Sequence, residues 1–180
     1  IFNAGIDVLW IAKCRYRNGQ RVHRHYHKFY QCMYVVEGEG NIHIGETAYS
    51  FKKDSMYMIP EFVPHIFTTG NDLQTMEVKF NVESDEIRYL INQIPEVMSL
   101  HSSAIKLILE KMIEEGQESN HFCMDMIHLK FCELLIRLHR LWEQKHDILA
   151  SRAIEPDFTA EDDPMLLPVI TFIRENINQA

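Results

Sequence analysis

The 180 residues weigh 21.3 kDa and carry 18 Lys and Arg against 26 Asp and Glu, a net charge of −8. A composition of 46% hydrophobic and 24% charged residues fits one ordinary globular domain with at most a short appendage, and excludes a disordered or fibrous chain. The acidic balance argues against nucleic-acid binding by this stretch alone, because neutralising phosphates needs a basic face. No apolar run nears the roughly 18 residues of a membrane span, and no signal peptide is visible, so a soluble cytoplasmic protein without membrane partners is expected. Cys14, Cys32, Cys123 and Cys132 are widely spread with no C-x-x-C pair and read as thiols in a reducing compartment.

The chain opens with short runs rich in Val, Ile, Tyr, Phe and Thr. They cover Ile6–Tyr16, Gln20–His27, Tyr30–Val36, Asn41–Ile44, Thr47–Phe51, Ser55–Ile59, His65–Thr69 and Leu73–Val82. Turn signals separate them, among them Asn18-Gly19, Glu37-Gly38-Glu39-Gly40 and Gly70-Asn71-Asp72. Short strands at near-regular spacing predict a sandwich or barrel. Pro60 and Pro64 flank a loop, since neither can donate to a central ladder.

From residue 84 the period is helical. Ser84 with Asp85-Glu86 predicts a capped helix start, ended before Pro95. A second helix is expected from 102 to about 115, with Ile105, Ile108, Leu109, Met112 and Ile113 on one stripe and Gly116 as terminator. The third spans about 120–145. Ile127, Phe131, Leu134, Leu135, Leu138, Leu141 and Trp142 make its core face, while Phe122, Met126, Leu129 and Ile136 form a second apolar strip. That strip predicts a homodimer seam, since one face suffices to pack on a sheet. Residues 147–163, with Pro156 and the acids Glu161, Asp162 and Asp163, read as a linker before another amphipathic helix near the C-terminus.

The densest polar constellation is His23-Arg24-His25-Tyr26-His27, with Gln31 opening the next strand and His65 following the proline loop. Alternation along a strand puts His23, His25 and His27 on one face. His25, His27, His65 and Gln31 are candidate ligands for a divalent metal such as zinc, nickel or iron, with Gln31 supplying an oxygen but no charge. Met33 and Met58 lie on strands expected to face the barrel, where they join His23 and the metal candidates as candidate ligand-binding residues.

The stretch from His23 to Phe67 resembles the paired motifs of the cupin superfamily. His25, His27, Gln31 and Gly38 stand at the positions of the first, H-x-H-x3-E-x6-G, with Gln31 in place of Glu. Asp54, Pro60, Val63 or Pro64, and His65 stand at those of the second, G-x5-P-x-G-x2-H, which lacks its glycines here. The resemblance implies a mainly β plus α fold: a cupin or jelly-roll β-barrel over 1–83 followed by a helical dimerisation subdomain over 84–146. The linker 147–163 and residues 164–180, with Phe172-Ile173-Arg174-Glu175-Asn176, resemble the approach to the helix-turn-helix domain of AraC-type transcription regulators. That likeness implies a small-molecule-sensing and dimerisation domain that reaches DNA through a missing C-terminal domain, and that is not itself an enzyme. The alternative is a metal-dependent cupin enzyme, a dioxygenase or an isomerase.

Overall fold

The computed structural model describes residues 5–100 and 103–145. The linker and the regulator-like C-terminal segment expected from the sequence lie outside the described residues. Among the described residues, nine strands form two antiparallel sheets: β1 (Ile6–Tyr16), β2 (Arg21–His25), β3 (Tyr30–Glu37), β4 (Gly40–Ile44), β5 (Thr47–Phe51), β6 (Ser55–Ile59), β7 (His65–Thr69), β8 (Leu73–Val82) and β9 (Val97–Ser99). One sheet runs β1-β8-β3-β6-β9 and the other β2-β7-β4-β5. Three helices follow or interleave: α1 (Asp85–Ile91), α2 (Ser103–Glu118) and α3 (Cys123–Lys145).

Two apolar cores share the five-stranded sheet. Alternate residues Met33, Val35, Tyr57, Ile59 and Leu73 meet Ile42, Ile44, Phe51 and Phe67 of the other sheet, filling the space between them. The intervening residues Tyr30, Cys32, Tyr34, Met56, Met58, Met76, Val78 and Phe80 face the helices and pack on Ile105, Leu109, Met112, Phe131 and Leu138. Met58 therefore does not line the barrel, contrary to the sequence expectation, because strand parity gives the inner face of β6 to Tyr57 and Ile59. Met33 is wholly buried in the inter-sheet core.

The helices keep their expected faces with shifted ends. The Ser84 hydroxyl accepts from the Ile87 amide and caps α1. Gly116 does not end α2; the helix runs through it to Glu118, and Ser119 takes the left-handed conformation instead, with φ 50°. Ile127, Phe131, Leu134, Leu135 and Leu138 of the α3 core stripe are buried and Leu141 and Trp142 half-buried, whereas Phe122, Met126, Leu129 and Ile136 are 56%, 39%, 44% and 53% exposed. Neither α2 nor the sheet covers that strip.

Candidate functional site: a three-histidine cluster

Strand β2 is shorter than its sequence pattern because its pairing slips. Val22 lies opposite Phe67 of β7, but His25, not Arg24, lies opposite His65, so three residues of β2 span two of β7. This β-bulge reverses the parity of the strand. Val22 packs in the inter-sheet core, and His25 and His27 turn to the same side as His65. His23 is exposed and contributes only its carbonyl, which accepts from His25 Nδ1 at 2.8 Å. The expectation that all three histidines of this segment share a face fails at the bulge, and His23 leaves the site.

The other imidazoles converge. Ring centroids lie 4.2 Å apart for His25 and His65, 4.9 Å for His27 and His65, and 6.2 Å for His25 and His27. Phe29 stacks on His27 at 4.1 Å, nearly parallel, and Lys79 sits over both Phe29 and Trp10. The proline loop closes beside them: the Phe62 amide donates to the His27 carbonyl at 2.8 Å. Asp54 and Phe62 hold φ of 57° and 61°, left-handed values that usually select glycine. These are the positions of the two glycines in the second cupin motif, so Phe62, rather than Val63 or Pro64, takes the second of them.

Each ring nitrogen can be assigned from its neighbour. Nδ1 of His25, His27 and His65 faces the carbonyl of His23, Phe29 and Val63 respectively. A carbonyl only accepts, so each neutral ring carries its proton on Nδ1 and keeps a lone pair on Nε2. Such outer hydrogen bonds are the usual means of orienting metal-binding imidazoles. His27 Nε2 lies 3.1 Å from Gln31 Oε1, which also only accepts. A doubly protonated His27 would resolve the conflict, but burial holds its pKa below the usual imidazole value. Burial likewise lowers His65, to about 4. Both of these rings are neutral at pH 7, and the lone pairs of His27 Nε2 and Gln31 Oε1 face each other across 3.1 Å.

Gln31 is held from behind by Glu77, a residue the motif reading did not single out. Gln31 Nε2 donates to Glu77 Oε2 at 2.9 Å, while Tyr16 and Thr75 donate hydroxyls to Oε1 at 2.8 and 2.6 Å. Glu77 is 2% exposed, and three donors satisfy its carboxylate. The signal in the sequence was a lone acid inside the apolar strand Leu73–Val82, at the same parity as Leu73 and Thr75. Cys14 borders this network, and burial raises its thiol pKa to about 11, which makes it a poor nucleophile. The four cysteines are free thiols.

A metal fits this site in its donor chemistry. Among the described residues no three His, Cys, Asp or Glu side chains are already grouped to hold an ion. The set here is three imidazoles and an amide oxygen, and the 3.1 Å between His27 Nε2 and Gln31 Oε1 matches two neighbouring ligands each about 2.1 Å from one divalent cation. A cation between them turns the clash of lone pairs into two bonds. A separate apolar groove of about 460 Å³ lies between α1 and α3, walled by Ile87, Leu90, Ile91, Leu135 and Ile136 and sharing no residue with the cluster.

Residues 12–79 match the family described as Cupin domain. No curated protein matches the chain. Among solved structures, a conserved Streptococcus pyogenes protein of unknown function is 20% identical over 41% of this chain, with a TM-score of 0.39. The chain spans 65% of that protein's length. A predicted oxalate decarboxylase from Thermotoga maritima is 20% identical over 42% of this chain and 69% of its own, TM-score 0.39. Salicylate 1,2-dioxygenase from Pseudaminobacter salicylatoxidans is 15% identical over 41% of this chain and 24% of its own, TM-score 0.37. Likeness of this size transfers no activity. It does correct the expectation of a domain that is not an enzyme: structures similar to this chain include enzymes, and its enzymatic status is open. Nothing in these comparisons points to an AraC-type regulator. No helix among the described residues is long and apolar enough to cross a membrane. The stretch from residue 12 to residue 79 matches the cupin domain and has the cupin fold of two antiparallel sheets.

Proposed function

We propose that this cupin domain binds a small molecule at the three-histidine cluster, with a divalent metal held by His25, His27, His65 and Gln31. The observation that carries the reading is a shared contact: three backbone carbonyls, those of His23, Phe29 and Val63, face Nδ1 of the three rings and leave the Nε2 lone pairs for the cluster. When bound, the ion supplies positive charge to an oxygen of the ligand. The chain's own residues do the rest. Phe29 stacks on His27, the Phe62 amide ties the proline loop to the His27 carbonyl, and Glu77 holds Gln31.

We place this domain in an AraC-type transcription regulator, as the part that senses an effector and pairs with a second copy through α3. The support is the resemblance of residues 172–176 to that family and the exposed strip on α3. In that reading the effector favours one arrangement of the paired domains, which alters how DNA-binding domains reach their half-sites, in the cytoplasm. The second reading, a metal-dependent cupin dioxygenase or isomerase, is favoured by the same donor set.

The test is metal content and melting temperature of protein purified without nickel affinity. Saturating Zn²⁺, Ni²⁺ or Fe²⁺ at about 100 times Kd should stabilise the wild type by about 2.7 kcal/mol and leave His65→Ala unmoved. A wild type that neither retains nor responds to any of these ions overturns the metal reading. Turnover by the metal-loaded domain, lost in His65→Ala, selects the enzyme over the sensor.

A further inference from the structure

We propose that Glu77 is the positioning residue of the cluster: it fixes the Gln31 amide with its oxygen toward His27 and supplies, from the neighbouring strand, the negative charge that Gln31 lacks. The proposal rests on the metal reading for its consequence but not for its geometry. A glutamine amide can turn over and exchange its oxygen and nitrogen at almost no cost in shape. Turned over, Gln31 would donate Nε2–H to the His27 lone pair, and the conflict across 3.1 Å would disappear.

What forbids the turn is Glu77. Its Oε2 accepts from Gln31 Nε2 at 2.9 Å, and its other oxygen is already occupied by the Tyr16 and Thr75 hydroxyls. A turned amide would aim its oxygen at that carboxylate inside a site where Glu77 is 2% exposed, with little water to screen the repulsion. The carboxylate therefore keeps two lone pairs, Nε2 of His27 and Oε1 of Gln31, facing one point. That arrangement is poor for the empty protein and good for a cation. The strands explain why Glu77 can do this. In β8 it lies opposite Met33 of β3, and Lys79 lies opposite Gln31, so Glu77 approaches Gln31 diagonally across the inner face of the sheet.

A charge-exchange cycle tests the assignment. Glu77→Gln keeps the shape and hydrogen-bonding capacity but lets both amides turn, so Gln31 satisfies His27 by itself. Zn²⁺ affinity is expected to fall at least tenfold, within the range usual for such outer residues. Gln31→Glu beside an intact Glu77 sets two buried carboxylates against each other and should lower the melting temperature of the metal-free domain. The double variant Gln31→Glu with Glu77→Gln restores an oxygen that cannot turn into a donor, and should recover both the melting temperature and at least wild-type Zn²⁺ affinity.

A second readout needs no metal. The Gln31 side-chain amide protons should be slow to exchange in the wild type, as seen by NMR, and at least tenfold faster in Glu77→Gln. Wild-type affinity and slow exchange retained in Glu77→Gln, with independent effects of the two substitutions, would overturn the positioning role. Slow exchange lost in Glu77→Gln, in a protein whose wild type binds no Zn²⁺, would sustain the positioning role and remove the metal reading.

Discussion

Two of the histidines make the stability of this domain sensitive to acid. His65 is 2% exposed, and burial lowers its pKa to about 4, with His27 lowered for the same reason. In an unfolded chain both titrate near 6.5, so below that pH the unfolded state binds more protons than the folded one. The stability from these neutral rings is complete above about pH 6.5 and is lost as pH falls toward about 4. Urea unfolding of metal-free protein at pH 7.5, 5.5 and 4.5 should show a declining midpoint, and His65→Gln should flatten the decline. An equal decline in both proteins would assign it to other groups. Residue identity is where the sequence was most informative about this site: His25, His27, Gln31 and His65 are named by motif spacing alone. Glu77 escaped because no motif contains it, although a single acid in an apolar strand has to find partners when buried.

At the level of elements, the eight longer strands follow directly from alternation and turn residues, with ends displaced by a few positions at most. The connection from β3 to β4, which passes from the five-stranded sheet to the four-stranded one rather than closing a hairpin, shows how tightly those turns are specified. Gly38 holds φ 105°, and a Cβ there would stand 2.3 Å from the Asp72 carbonyl oxygen and 2.6 Å from Leu73 Cα. Gly38→Ala should therefore cost at least about 2 kcal/mol, since neither the conformation nor the space admits a side chain. Thermal unfolding measures this, and a shift within a degree of wild type would mean that the turn rearranges freely. Face assignments proved less legible than the strands themselves. A pattern such as Met56-Tyr57-Met58-Ile59 is apolar at every position, so alternation cannot say which pair faces the helices. Strand β9 covers three residues after Pro95, too short to show any period.

Over the whole molecule, the five-stranded sheet is buried on both faces and carries the helices as a second layer. That layer ends in the exposed strip of Phe122, Met126, Leu129 and Ile136, and the proposed pairing through it can be tried directly. In a symmetric pair each substitution acts twice. Leu129→Glu together with Ile136→Glu should give a monomer by sedimentation, with a wild-type circular dichroism spectrum, because both side chains are half in solvent already. A double variant that stays dimeric places the seam elsewhere. One that loses its folded spectrum shows that the strip serves the fold.

The bulge in β2 also sets which changes in chain length the site tolerates. Between Val22 and His25 the strand carries two residues, His23 and Arg24, where β7 opposite carries only Ile66. Removing His23 or Arg24 would let the pairing run evenly and still leave Val22, His25 and His27 turned inward. Removing Tyr26, or inserting a residue beside it, would rotate one histidine out to solvent with nothing to compensate. The cupin domain thus has slack on one side of His25 and none on the other. A change in length is therefore tolerated before that histidine, whereas the single residue between it and His27 must stay fixed in number but not in kind.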